Sequence, residues 1–387
     1  MLRRRWITTA ASLLAGAVRA GAALKAPVVV RVPCPPTPFA GSDGHVHLCY
    51  EIHLTNFEQN TGALEVVRVE VAGDSDGSTL ATYTEAALEE RLVHPGVRPV
   101  PADPKSIPGG MTAVLLVWVT LRAGHRVPRS LRHRIELRDK DGAALLVDGA
   151  AVEVGLLRKP LVLGPLFRDH AWIAHEGPGN PRSHHWRSLL AVNGRVTVPQ
   201  RFAIDFIGLD DRAKAVPGEP EKSKNTDWTG YGTDVLAATG GIVRSRNDGV
   251  ADNVPMAPLV RVTELTMPSL YGNHVVLETA NRQFLHYAHL QASSVRVQVG
   301  QRVRQGDVIG RVGNSGNTNA AHLHFHVADS ASFEESESLP FVFQAFESFG
   351  VTRIDRVFGR DAEVPMRNPL MVRNVLPLDG AVLRFPK

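Results

Sequence analysis

Cysteine is nearly missing from this chain, with only Cys34 and Cys49 among 387 residues. No thiol pair has the spacing of a structural zinc site, so any metal must be held by His, Asp or Glu. Aromatic residues are sparse at 6% and nowhere interleave with basic ones, which argues against a nucleic-acid partner. No confident membrane span is present, because the apolar stretch Trp6–Val18 falls short of the ~20 residues a spanning helix needs. Tandem repeats and low-complexity tracts are lacking as well. The net charge of +4 is mild and describes an ordinary surface, part of it contributed by the arginines at the N-terminus.

Glycine (34) and proline (26) are plentiful beside a 43% hydrophobic content. That mixture favours short strands and many turns, hence an all-β fold. At 387 residues the chain exceeds what one core usually organises, so two domains are expected. Residues 1–23 read as an export signal: Arg3, Arg4 and Arg5 precede the apolar stretch, and small residues around Ala20–Ala23 offer a cleavage site. Export to the periplasm or the exterior is the expectation, with no stable membrane span after signal removal. In an oxidising compartment Cys34 and Cys49 are expected to pair across a small hairpin, with two buried free thiols as the alternative.

Residues 27–158 show strand patterning with little helix, including Val28–Val32, Leu48–Leu54, Val67–Val71 and Thr112–Leu121. Short strands broken by Pro and Gly predict a β-sandwich. His45 and His47 alternate on one strand but lack a third partner, so they read as structural. Composition shifts around 159–165, and 166–387 forms the second predicted domain. Within it, 210–229 is polar and Pro/Gly-bearing, which predicts a surface loop.

The most informative stretch is Ala321-His322-Leu323-His324-Phe325-His326-Val327. On a strand, residues two apart share a face, so His322, His324 and His326 form one row above an apolar face of Leu323, Phe325 and Val327. Imidazoles in a row suit metal binding and proton transfer near neutral pH. His289 lies on a second strand pattern, Tyr287-Ala288-His289-Leu290, and Asp205 sits alone inside the apolar run Phe202–Phe206. A buried carboxylate there needs a cation or several hydrogen bonds.

Taken in order, these motifs resemble peptidase family M23, the lysostaphin-like or LytM type. The resemblance covers roughly 180–330 and includes Tyr231-Gly232, Gly272-Asn273-His274, Tyr287-Ala288-His289-Leu290, Gly313-Asn314-Ser315-Gly316 and His322-Leu323-His324-Phe325. It implies an antiparallel β domain, a Zn2+ cofactor and hydrolysis of peptide bonds in cell-wall peptidoglycan. It also implies that Asp205 and His324 bind zinc, while His322 handles the proton of the attacking water and His289 stabilises the oxyanion. The pattern departs from the family in two places. Arg201 stands where a zinc-binding His is usual, and Ala321 stands where Pro is usual. Arginine stays protonated and cannot ligate zinc. His185 is the favoured substitute ligand, with His184 and His326 as alternatives. If none serves, the domain is a degenerate module that binds peptidoglycan or regulates a hydrolase. Oligomeric state is not written in the sequence.

Overall fold

The computed structural model describes residues 24–57, 62–74, 77–96, 101–122, 124–156, 158–259, 266–358 and 368–386. The expected export signal lies outside the described residues. Strands dominate the regular structure of the described chain, with three short α-helices among its elements.

The first half folds as a six-stranded and a five-stranded sheet packed face to face. In the five-stranded sheet, β1 (Val46–Asn56) pairs antiparallel with β2 (Thr112–Leu121), from Val46↔Leu121 to Thr55↔Thr112. Both are rich in β-branched and large apolar residues, which suit a pleated surface. Leu48, Tyr50, Ile52 and Leu54 of β1 join Leu115, Val117 and Val119 of β2 in the core between the sheets.

β1 is buried on both faces along most of its length. Its other face carries Cys49 and Glu51, and the neighbouring β2 contributes Leu116 and Trp118. Cys49 and Leu116 belong to the core of the second half, and Trp118 packs against it. The second half therefore covers the outer face of this sheet, placing it in the middle of three layers.

That second half is organised by a ten-stranded sheet whose neighbours run antiparallel. Five central strands matter for the site: β3 (Ala171–His175), β4 (Ile204–Leu209), β5 (Asn273–Glu278), β6 (Phe284–Leu290) and β7 (Leu323–Ala328). They lie side by side in the order β5-β6-β7-β4-β3. Leu323, Phe325 and Val327 point into the core beside Ile204, Phe206, Leu285 and Tyr287. All three are fully buried, contributing roughly 1.5–3 kcal/mol each. This burial fixes the register, because a slip of one residue would turn the histidines inward.

A short helix, α1 (Met267–Tyr271), precedes β5, with its first turn capped by Thr266, whose side chain accepts from the Ser269 N–H. The chain leaves it at Gly272, with φ of 63°, where a Cβ would stand 2.4 Å from the Ser315 carbonyl carbon. Only glycine permits this backbone contact, which holds the loop around Ser315 against the start of β5.

Two expectations need correction. Cys34 and Cys49 are free thiols. Cys49 is committed to the core facing the second half, and burial raises the pKa of both thiols, which keeps them protonated and unreactive. The structural reading of His47 agrees with its ring being held by Asp43 at 2.9 Å and Thr120 at 3.1 Å. The 210–229 segment is more than a surface loop. It carries two single-turn 3-10 helices, and Ala213, Ala215, Val216 and Trp228 are buried in a small separate core. The Trp228 indole N–H donates to Ser223 Oγ, so the polar residues satisfy the aromatic that anchors them.

Candidate metal centre

Register brings the polar residues together. Asp205 of β4 pairs directly with His324 of β7 on one side and with His175 of β3 on the other. Ala288 of β6 pairs with His324, and His286 with His326. His322 stands just before β7, bridged to Gly313, and His289 lies near the end of β6. His289 has a left-handed backbone with φ of 61°, a conformation that costs energy for a residue other than glycine and often marks functional sites.

Asp205 Oδ1 is the point of convergence. His324 Nδ1 lies 3.0 Å from it, His322 Nε2 3.3 Å and His185 Nε2 3.4 Å. The His289 and His322 rings stand 4.7 Å apart between centroids, and His289 and His324 5.8 Å. All five residues line one cavity of ≈ 620 Å³, together with apolar groups that include Leu270 and Phe333.

Each ring is held by its second nitrogen. His185 Nδ1 contacts the Glu176 carbonyl at 3.0 Å, His322 Nδ1 the Ala320 carbonyl at 2.9 Å, and His289 Nδ1 the Ser315 carbonyl at 2.8 Å. A carbonyl only accepts, so each Nδ1 carries the hydrogen and each neutral ring presents a bare Nε2. His324 is turned the other way. Its Nδ1 faces Asp205, while its Nε2 lies 3.0 Å from His326 Nδ1. Behind it, His326 Nε2 lies 3.4 Å from the Tyr271 hydroxyl, and His326 stacks on His286 with centroids 4.5 Å apart.

Burial would raise the pKa of Asp205, but the neighbouring His185 and His322, with the hydrogen bond that His322 donates when protonated and the one from His324, hold it well below the usual range. Burial pushes His185 down to about 3 against the pull of Asp205. Burial, with His322 and His324 nearby, also holds His289 far below its ordinary value. His322 goes the other way: burial opposes its protonation, but Asp205's charge and hydrogen bond raise its pKa. The site therefore joins one firmly ionised carboxylate to imidazoles that differ in proton affinity.

The alternatives to His185 are placed differently. His184 is 65% exposed at its side chain, with Nδ1 3.2 Å from Glu176, although its nitrogen still lies within 4.8 Å of the ligand atoms of His185 and Asp205. His326 is engaged with His324 and Tyr271 rather than Asp205. Arg201 is 4% exposed and turned away from the cavity toward Glu51, with Nη2 at 2.6 Å and Nε at 2.7 Å from the carboxylate. Sequence reasoning missed the groups that orient the rings. Glu176, Ala320 and Ser315 act through backbone carbonyls, which leave no side-chain signal.

Residues 223–334 match the model of peptidase family M23. The match includes His289, His322, His324 and His326 but not Asp205 or His185. Endolysin 2638A of Staphylococcus phage 2638A is 31% identical over 107 residues, covering 27% of this chain and 22% of that protein. The peptidoglycan DD-endopeptidase ShyC of Vibrio cholerae serotype O1 is 32% identical over 94 residues, covering 24% and 19%. The chain thus spans about a fifth of the length of these curated relatives. Among solved structures, the catalytic domain of lysostaphin from Staphylococcus simulans is 20% identical, with 43% of this chain and 86% of that chain covered and a TM-score of 0.24. The chain carries a peptidase M23 domain.

Proposed function

We propose that this M23 domain belongs to an exported zinc-dependent endopeptidase that hydrolyses peptide bonds in cell-wall peptidoglycan. The observation that carries the reading is the convergence of His185, His322 and His324 on one oxygen of Asp205. Ligands held ~2.0–2.1 Å from a tetrahedral zinc stand about 3.3–3.4 Å from one another. His185 Nε2 at 3.4 Å from Asp205 Oδ1 fits that spacing, and His324 Nδ1 at 3.0 Å lies a few tenths of an ångström inside it, at hydrogen-bond distance. The donor chemistry fits as well, because a ligating histidine must be neutral and a ligating carboxylate ionised.

His185, Asp205 and His324 would hold the metal, and Arg201 is excluded by its charge and its engagement with Glu51. When bound, zinc lowers the pKa of a water to roughly 7 and polarises a carbonyl. His322 also lies at ligand distance from Asp205, and its assignment to proton handling follows the M23 resemblance. With Nδ1–H donated to Ala320, its Nε2 takes the proton of the attacking water, and Asp205 stabilises the charge that forms. The same ring then returns the proton to the leaving amine. His289 presents a bare Nε2 while neutral, so it can stabilise a developing oxyanion by hydrogen bonding only after it gains a proton. The named cell-wall activity of a relative such as ShyC supports peptidoglycan peptide as the substrate class and the wall as the place of action.

The competing reading is a domain that grips wall peptide without cutting it. It draws on Arg201, the residue that breaks the family pattern. Zinc content of purified protein and release of new amino termini from muropeptides separate the two. About one zinc per chain with hydrolysis supports the enzyme; wall binding with neither supports the grip.

A further inference from the structure

Glu51 is a carboxylate from the first half of the chain, buried in the second. It lies on β1, is 2% exposed, and takes its place on the face that the second half covers. Its Oε1 accepts from the indole N–H of Trp186 at 2.6 Å and from Arg201 Nε at 2.7 Å, and its Oε2 accepts from Arg201 Nη2 at 2.6 Å. Trp186 directly follows His185, and Arg201 stands four residues before Asp205. One side chain thus holds the two segments that carry the facing atoms His185 Nε2 and Asp205 Oδ1, 3.4 Å apart.

We infer that Glu51 is a positioning residue for the metal centre: it clamps the Trp186 and Arg201 segments together and so sets the gap between His185 and Asp205. The inference rests on the reading of His185 and Asp205 as metal ligands. The segments need such a tie. His185 comes from an irregular stretch before Leu190–Val192, whereas Asp205 is locked into the sheet. The Glu176 carbonyl aims the His185 ring, but Trp186 fixes where that stretch sits. The clamp is braced on its far side as well. Glu337 Oε2 lies 2.9 Å from Arg201 Nη2, and Ser338 accepts at its carbonyl from Arg201 Nη1 and at its hydroxyl from the Phe202 N–H. At its base, β1 is paired along its length with β2, so Glu51 stands on a rigid strand. Groups that orient metal ligands from behind typically govern affinity by ~10–100-fold.

The test uses full-length protein and Co2+ as the probe, with affinity measured by chelator competition and the visible cobalt band read alongside. The thermal midpoint of metal-free protein reports folding separately. The paired variant Glu51→Leu with Arg201→Met removes both charges together, because a lone buried charge would itself unfold the site. Trp186→Phe removes the indole donor and keeps an aromatic ring. The expected result is a folded paired variant whose Co2+ dissociation constant rises ~10–100-fold with an altered band, and a smaller rise for Trp186→Phe. A folded paired variant that binds Co2+ like wild type overturns the inference. If the paired variant does not fold, Trp186→Phe decides, and wild-type affinity there overturns it. His185→Ala reports on the underlying reading. Undiminished Co2+ binding in that variant overturns the ligand assignment and the clamp with it. Loss there, with unchanged binding in both clamp variants, overturns the clamp alone.

Discussion

Both halves bury histidines, but they satisfy them differently. In the first half, His133 is fully buried and spends both ring nitrogens, one on the Tyr50 hydroxyl at 2.7 Å and one on the Ala150 carbonyl at 2.7 Å. His47 is likewise consumed by Asp43 and Thr120. In the second half, His185, His289 and His322 each spend one nitrogen on a backbone carbonyl and turn the other toward a shared cavity. Burial and hydrogen bonding alone do not mark a functional histidine. The mark is a ring fixed from behind with its other nitrogen left for a common centre.

That contrast can be broken most severely at its centre. Asp205→Ala should remove metal binding and hydrolysis together, because it takes away the atom on which three rings converge. Metal analysis after dialysis is the check, and a full zinc complement would end the metal-centre reading. His322→Ala should keep the metal and lose ~10²–10⁴-fold in turnover, the usual worth of a general base. Loss of zinc together with turnover would instead place His322 among the ligands.

Next in size is His326→Ala. It removes the partner of His324 Nε2 and should weaken zinc binding ~10–100-fold, read by chelator competition. The matching change in the first half, His133→Ala, should leave zinc affinity untouched. It strands the Tyr50 hydroxyl and should cost about 1–3 kcal/mol of stability, measured by denaturant unfolding.

A milder probe is pH. Burial pushes His286 down to about 3 and holds His326 well below its ordinary value. Their unfolded rings titrate near 6.5. Since the unfolded state takes up protons first, the stability they contribute is complete above that value and is lost as pH falls toward 3. The thermal midpoint of metal-free protein should therefore decline between pH 7 and pH 4, and a flat profile would contradict the buried-neutral state.

The sequence made some of this site legible and hid the rest for physical reasons. The His-x-His-x-His row could be read because strand periodicity is local, and the apolar residues between the histidines show which face is core. Asp205 stood out as a charge inside an apolar run. Choosing His185 over His184 is harder from sequence, because the two are adjacent and their difference depends on how an irregular segment folds over β3. The partner of Arg201 is separated from it by 150 residues, so no spacing could announce it. For the same reason the double burial of β1 was unreadable: its outer cover is supplied by the other half of the chain. The expected cysteine pairing is not formed, since both thiols are free and Cys49 packs into the core of the second half.

The two-faced burial of β1 also bears on the order in which the protein can be made. Synthesis runs from the N-terminus, and both sheets of the sandwich are complete once residue 153 has emerged. At that moment the face carrying Cys49, Glu51, Leu116 and Trp118 has no cover, because its covering residues, among them Trp186, Phe202 and Phe341, are still to come. A nascent chain paused there presents an apolar sheet face with a bare carboxylate in its midst. Such a face invites premature association until the second half arrives. The strand that later steadies the molecule thus carries, during translation, an apolar face still waiting for its cover.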